Sequence, residues 1–479
     1  MRIEDEYVKT GYFWLPDRDE KKIPGVLTIK NGGNIELEVV GLFDDSIKSL
    51  NGDDDLNRII GHVEKDGLVT LENCFYTNKN ISFGGISKSK ICVNKVLSGV
   101  AYDQDEVVTF NTLSFSVDCL DEWVGISGIS VESDWESRAA TISYVPPENI
   151  SYVLDIGMKL EICFAYTLPG SSSTTESKIT QRIYFKLSSE ELRPLSDFTE
   201  IAYKLTNFLC FAIDTTVALK GLSATSKEIQ RDGGDGNKYP VPVKVFYPSI
   251  PFTEKAPDKS WHRMLFTYGT IKSNAQDVFN NWLRAYEIMA PALSLYFSTK
   301  NGAQKYLDGK FLALAQGLET YHRRTSDEQL MDSSEFDSLV STISESCPAE
   351  HVEWLRGRLM HGYEINLGKR LKRIIEPFKD KLGSCKERNK LLRKIVDTRN
   401  YLTHYNESLK DSAANGEELW SLCQKMEVIF QLHFLKVVGF SDEEIESVVE
   451  TAIRLSKRLT KSNKLLHTEK LLATLPIFR

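Results

Sequence analysis

Residues 387–410 read "ERNKLLRKIVDTRNYLTHYNESLK". They decide how the C-terminal half is read, because their apolar positions recur every three or four residues, the period of a helix with one buried face. With about 100° per residue and Ile395 set at 0°, Leu391 falls near 320°, Leu392 near 60° and Leu402 near 340°, which defines that face. Asn400 near 140°, His404 near 180° and Asp397 near 200° form a polar stripe opposite it. His404 is therefore expected outside the core of its own bundle. Arg399, at about 40°, starts on the apolar edge some 140° from His404. Its guanidinium reaches the stripe along a long stem or through a distorted turn, or it serves a site completed by another chain. Geometry leaves both open.

The same period runs through "AQDVFNNWLRAYEIMAPALSLYFS" (275–298), "KFLALAQGLETYHRR" (310–324), "EFDSLVSTISESC" (335–347), "KRLKRIIEPF" (369–378) and "GEELWSLCQKMEVIFQLHFLKVVG" (416–439). Residues 261–479 are expected to be an all-α bundle. No repeat of fixed period appears, which argues against a solenoid. Up to residue 187 the pattern is different. Short alternating runs such as "GVLTIKNGGNIELEVVG" (25–41), "GLVTLENCFY" (67–76), "TFNTLSFSVDCL" (109–120), "KLEICFAYTL" (159–168) and "RIYFKLS" (182–188) are broken by Gly, Asn and Asp. These predict antiparallel strands in a sandwich or barrel-like domain over 1–187, with "LPGSSSTTESKI" (168–179) as a hairpin tip or loop. Ser188, with Glu191 three residues on, predicts a capping box opening a helix at that point. Residues 188–260 then read as a linking helix and strands. "DGGDGN" (232–237) lacks the spaced acidic ligands of a calcium loop and reads as a turn. The fold class is α+β multidomain.

Length and composition are those of a multidomain globular chain. The start, "MRIEDEYVKTGYFWLP", carries charges where a signal peptide needs an apolar core, and the best apolar stretch, "NFLCFAIDTTVALKG", is interrupted by Asp214. A cytoplasmic location without membrane contact is expected. Eight scattered cysteines with no C-x-x-C and no paired Cys/His spacing point to reduced thiols and against zinc. No cofactor is indicated.

Net charge is −8, yet residues 351–410 hold 15 Lys/Arg against 7 Asp/Glu, and 351–479 as a whole carry +7. Residues 1–350 therefore carry −15. A basic block on an acidic chain is the footprint of one region meeting phosphates; a solvated basic helix face gives the same signal. Within the block, "LRGRLMHGYEINLGKRLKR" (355–373) supplies Arg356, Arg358, Lys369, Arg370, Lys372 and Arg373 as candidate RNA-phosphate ligands. The aromatic "YFWLP" (12–16) reads as sandwich core.

The polar residues of the opening stretch suit RNA cleavage. A histidine titrating near neutrality can take a proton from a ribose 2′-hydroxyl or give one to a departing 5′-oxygen. An arginine stays charged and can hold two phosphate oxygens as charge builds. Asn400, one turn before His404, is near enough to orient substrate or imidazole. Such a site needs no metal.

"RNYLTH" (399–404) matches the Arg-x4-His motif of the HEPN ribonuclease superfamily, including the polar residue directly after the Arg. With "GYFWLPD" (11–17), "GHVEKDGLVTLENC" (61–74), "DEWVGISGI" (121–129), "MLFTYGTI" (264–271) and "FLALAQGLETYHRR" (311–324), the chain resembles the ApeA-type antiphage family over nearly its whole length. In that family a strand-rich domain precedes a C-terminal HEPN domain. The resemblance implies an abortive-infection protein that cleaves cellular RNA, with tRNA as one candidate class, when a phage, through a phage protein or another trigger, is sensed. It implies a homodimer or higher homo-oligomer in which two Arg-x4-His motifs share one cleft. It also brings in Glu319, since HEPN domains often use an acidic residue on an early helix. Phe311, Leu314, Ala315 and Leu318 share a face with His322, and Glu319 sits at its edge, so carboxylate and imidazole can reach across to the motif helix. Catalysis is thus expected from Arg399, Asn400, His404 and Glu319. The competing reading is a noncatalytic module in which the helical domain binds RNA or nucleotide and the β-domain recruits a partner. A carbohydrate-binding sandwich on a helical scaffold gains little, because the basic charge lies in the other half.

Overall fold

The computed structural model describes residues 1–43, 55–82, 85–170, 174–234 and 236–451. It divides into two compact units, Met1–Leu283 and Arg284–Arg479. The tip of the 168–179 loop and Asp235 of the expected turn lie outside the described residues.

The first unit is built on one antiparallel sheet. Its first six strands are β1 (Tyr7–Trp14), β2 (Ile23–Ile29), β3 (Ile35–Val39), β4 (Asp55–Val63), β5 (Gly67–Asn80) and β6 (Lys88–Ser98). They run in the order β6-β3-β2-β1-β4-β5, and β5 pairs back onto β6, so they close a barrel. Closure removes the free edges of these strands. The interior follows from period-2 alternation: Ile35, Leu37 and Val39 point inward from β3 and meet Phe13, Leu27, Ile59, Leu71 and Ile91 from the other five strands. Gly32 and Gly33 take positive φ in the β2–β3 turn that Asn31–Asn34 announces. Gly11 faces Gly25 across the ladder, and a Cβ on Gly11 would sit 2.4 Å from the His62 carbonyl oxygen, so only glycine permits that approach.

Beyond β6 the same sheet continues through β7 (Thr109–Val117), β10 (Ile150–Leu154), β11 (Met158–Thr167), β12 (Thr180–Pro194), β13 (Leu219–Thr225) and β16 (Val243–Phe246), in the order β16-β13-β7-β12-β11-β10 outward from β6. Between β7 and β10 lie α1 (Leu120–Val124) and a separate exposed hairpin, β8 (Ile129–Asp134) with β9 (Ala139–Tyr144). A second small hairpin, β14 (Gln230–Asp232) with β15 (Lys238–Pro240), encloses the Gly-rich turn, where the Gly233 amide donates to the Asn237 carbonyl at 2.9 Å. The sheet packs against α2 (Leu195–Ile213), whose Phe208 touches Trp123, Phe266, Phe279 and Trp282.

Two sequence expectations change here. Ser188 does not open a helix. It lies in β12, paired with Lys159 on one side and Thr112 on the other, and the helix starts at Leu195 after Pro194. Pairing on both edges of β12 outweighs a local capping pattern. Residues 188–260 are more than the link that their pattern suggests, since β13 and β16 are interior strands of the sheet and α2 covers it. The partners, such as Leu219 with Val117, are about a hundred residues apart, a distance that local pattern does not encode.

The second unit is helical, as the periodicity predicts. Three short helical segments aside, the elements among its described residues are the end of α4 (Ala275–Ser298, preceded in the first unit by α3, Tyr268–Ile271), then α5 (Leu307–Thr325), α6 (Ser333–Glu345), α7 (Val352–Leu359), α8 (Leu367–Ile375), α9 (Cys385–His404), α10 (Gly416–Val438) and α11 (Asp442–Thr451). Tyr296 packs on Phe430 and Phe434, and α5 crosses α10 closely at Gly317, where a Cβ would lie 2.8 Å from Phe430. Glu427, fully buried on α10, takes Lys300 at 2.7 Å and Lys310 at 2.6 Å, which neutralises a charge that burial alone would not tolerate. No helix among the described residues is long and apolar enough to cross a membrane.

Candidate active site

Helix α9 carries the motif. Ser384 caps it, its hydroxyl accepting from the Glu387 amide while the Glu387 carboxylate accepts from the Ser384 amide at 2.7 Å. Ile395, Thr398 and Leu402 are buried, at spacings of three and four. Thr398 is the polar member of that face. Its hydroxyl accepts from the Ala414 amide at 2.8 Å and pins the chain that follows α9 back onto the motif helix. The spacing of Thr398 from Ile395 and Leu402 is the sequence signal that places it on this face.

Arg399 is 37% exposed and lies between two polar groups. One guanidinium nitrogen donates to Asn400 Oδ1 at 3.3 Å, and another lies 4.0 Å from Glu319 of α5. The structure therefore brings together Arg399, Asn400 and Glu319, across two helices. His404 is the last residue of α9 and is exposed. Tyr405 ends the helix in the left-handed region at φ 48°, a conformation that non-glycine residues adopt at a cost and that clusters at functional sites. Among the described residues no hydrogen bond or ion pair holds the His404 imidazole.

Glu319 is itself positioned. Arg323, one turn on, donates to the same Glu319 oxygen from two nitrogens at 3.3 and 3.1 Å, which leaves the other oxygen towards Arg399. Arg323 also grips Glu364, which in turn accepts from Arg370 at 3.0 Å and lies 3.7 Å from His361. Burial opposes ionisation of Glu364, but the Arg323 and Arg370 guanidiniums win and hold its carboxyl below the usual range. Sequence reasoning misses Arg323 and Glu364, although the i, i+4 spacing of Glu319 and Arg323 is a visible signal.

The basic candidates divide. Arg356, Arg358, Lys369, Lys372 and Arg373 are exposed, with Arg373 held on both oxygens of Glu328. Arg370 is not available to a phosphate. It is 4% exposed, paired with Glu364, and donates to His322 Nδ1 at 3.3 Å. Its register on α8 puts it beside Leu371 and Ile374, so it serves the bundle interior. His322 accordingly faces Arg370 rather than the motif helix. Burial and then the neighbouring guanidinium lower its pKa. A broad cleft lined by Tyr12, Val26, Glu38, His62 and Lys90 lies on the barrel and contains none of the candidate catalytic residues. Among the described residues no cluster of His, Cys, Asp and Glu could hold a metal ion.

A third histidine gives the unit a pH dependence. His433 is 7% exposed, packs between a tilted Tyr321 ring and an edge-on Phe378 ring, and donates from Nε2 to the Ile374 carbonyl at 2.8 Å. Burial lowers its pKa from 6.5 to about 4, the hydrogen bond offsetting part of the drop. Between those values the unfolded chain binds a proton that the folded chain refuses. Stability is therefore full above about pH 6.5 and falls as pH drops towards 4, by up to about 3 kcal/mol, with His322 acting in the same direction. Urea unfolding across that range should show the loss, and His433→Phe should flatten it. An unchanged slope in the variant would remove His433 as its source.

Residues 8–282 match the family model described as ApeA N-terminal domain 1, and residues 312–444 match that described as Apea-like HEPN. No curated protein and no solved structure matches the chain. The first match spans more than half of the chain and the second covers the helices that bear Glu319, Arg399 and His404. The chain belongs to the ApeA family, with an ApeA N-terminal domain followed by an ApeA-like HEPN domain.

Proposed function

We propose that the protein is a metal-independent endoribonuclease effector of antiphage defence, cleaving cellular RNA when infection is sensed. The observation that carries this reading is the pairing, on one helix of the HEPN-matched region, of an exposed imidazole with an accessible guanidinium steadied by Asn400 and Glu319. In the reaction a ribose 2′-oxygen attacks the adjacent phosphorus as its proton passes to a base. The bond to the 5′-oxygen breaks and that oxygen is protonated. The products are a 2′,3′-cyclic phosphate and a 5′-hydroxyl. His404 serves proton transfer, and Arg399 stabilises the charge that grows on the phosphate oxygens. Asn400 holds the guanidinium, and Glu319 sets its direction from α5. Cellular RNA is the substrate, tRNA being one candidate class, and a homodimer or higher homo-oligomer is the active form. A phage protein acting on the β-domain is the proposed trigger, in the cytoplasm.

The competing reading, a noncatalytic RNA- or nucleotide-binding module, draws on one observation: nothing within the described chain orients His404. Purified protein incubated with total RNA separates the two. Because side chains supply both proton transfer and charge neutralisation, cleavage should persist in EDTA and leave 2′,3′-cyclic phosphate or 3′-phosphate ends. Activity lost in EDTA and restored by magnesium or manganese would overturn the mechanism. Binding without cleavage, in cells exposed to phage as well as in the tube, would favour the module.

A further inference from the structure

Helix α7 presents a face that the proposed chemistry does not use. On ideal helix geometry Val352, Leu355 and Leu359 lie within about 60° of one another, and these are the residues that are partly covered. Trp354, Gly357 and Arg358 share an arc of about 100° on the other side. Trp354 is 62% exposed, and a Cβ on Gly357 would meet nothing within 4 Å. The three therefore form an indole wall, an open floor and a cation one turn from the wall. Arg356, near the covered side, leans on Ser344 of α6 with its Nε 3.5 Å from the hydroxyl. Of the acids nearby, Glu350 lies beside His351 at 3.5 Å, and Glu353 stands at the edge of the face, about 40° from Gly357 and on the side away from Arg358.

We propose that this face is a stacking subsite for an unpaired nucleobase of the RNA substrate. The inference rests on the ribonuclease reading and names the kind of RNA, a single-stranded stretch or loop. An exposed aromatic beside a cation is the arrangement by which proteins hold unpaired bases, the ring stacking on the π-face while the cation meets the backbone. Its sign fits, because residues 351–410 carry the chain's excess of positive charge. It is also continuous with the motif. Three residues after Arg358, His361 lies 3.7 Å from Glu364, and Glu364 leads through Arg323 to Glu319 and Arg399. Met360 and Leu330 are also exposed near this turn, so a protein partner is the occupant to be tested against RNA.

The test uses the full chain carrying His404→Ala, so that RNA is bound without being cut, with two probes: a short unstructured RNA and a blunt RNA duplex of the same length. Adding Trp354→Ala should weaken the single strand by about tenfold and leave the duplex unchanged. Trp354→Phe should keep most of the affinity. Gly357→Leu, which the open floor accommodates, should weaken single-strand binding by blocking it. Arg358→Ala should weaken both probes and lower the salt dependence by about one phosphate contact. Equal single-strand affinity in Trp354→Ala, Gly357→Leu and the parent would overturn the subsite alone. A changed oligomeric state in Trp354→Ala with unchanged RNA affinity would make the face a protein interface instead. If the parent binds neither probe, the ribonuclease reading falls and the subsite with it.

Discussion

His404→Ala is expected to reduce RNA cleavage by on the order of 10²- to 10⁴-fold, the range contributed by a positioned general acid or base. The same change should leave stability within about 0.5 kcal/mol, because the side chain is exposed at the end of α9 and no described hydrogen bond or ion pair depends on it. RNA affinity should also be close to that of the wild type. Arg399→Ala should abolish cleavage as well, but with a second signature. It removes the partner of Asn400 and Glu319 and deletes a phosphate contact, so binding weakens together with turnover. Measured side by side as initial rate, affinity and thermal unfolding, the two variants separate a proton-transfer group from a charge-holding one. Cleavage by His404→Ala at the wild-type rate would move the site elsewhere.

This contrast is legible in the amino-acid sequence because both residues sit on one strongly periodic helix. Alternation at Ile35, Leu37 and Val39 and the Asn31–Asn34 turn likewise announce β2 and β3, since strand period and turn chemistry are local. What escapes is non-local. Ser188 and Glu191 look like a cap, and only the pairing of Ser188 with Thr112 and Lys159 makes them strand. Closure of the barrel through the pairing of β3 with β6 and of β1 with β4, and the addition of β13 and β16 to the sheet, depend on partners far apart in the chain. Arg370 carries the same formal charge as Lys369 and Lys372, and its burial follows from where α8 meets Glu364 and His322. At the site, helix geometry and family resemblance point Glu319 towards the motif helix, whereas the Arg323 and Glu364 groups that aim it lie on α5 and in the turn before α8.

The largest expected effect after loss of the histidine concerns assembly. Arg399 and His404 start about 140° apart on α9. Arg399 points to Asn400 and to Glu319 of α5, while His404 stands exposed at the helix end with no described group to orient it. Two copies of α9 related by a two-fold axis would set the guanidinium of one beside the imidazole of the other, and the contact would be self-complementary. Asp397, Asn400 and His404 lie away from the buried Ile395, Thr398 and Leu402, on the side of α9 that such a contact would use. Neither Arg399→Ala nor His404→Ala alone should then cleave RNA. Mixed so that subunits exchange, half the dimers become heterodimers, and the shared cleft of each heterodimer holds one intact Arg–His pair of two, so activity should recover to about one quarter of the wild-type level. If each chain cleaves RNA unaided, every site in the mixture still lacks one residue and nothing is recovered. Absent recovery, together with an active wild-type protein that stays monomeric in light scattering at working concentration, would show that Arg399 reaches its own His404.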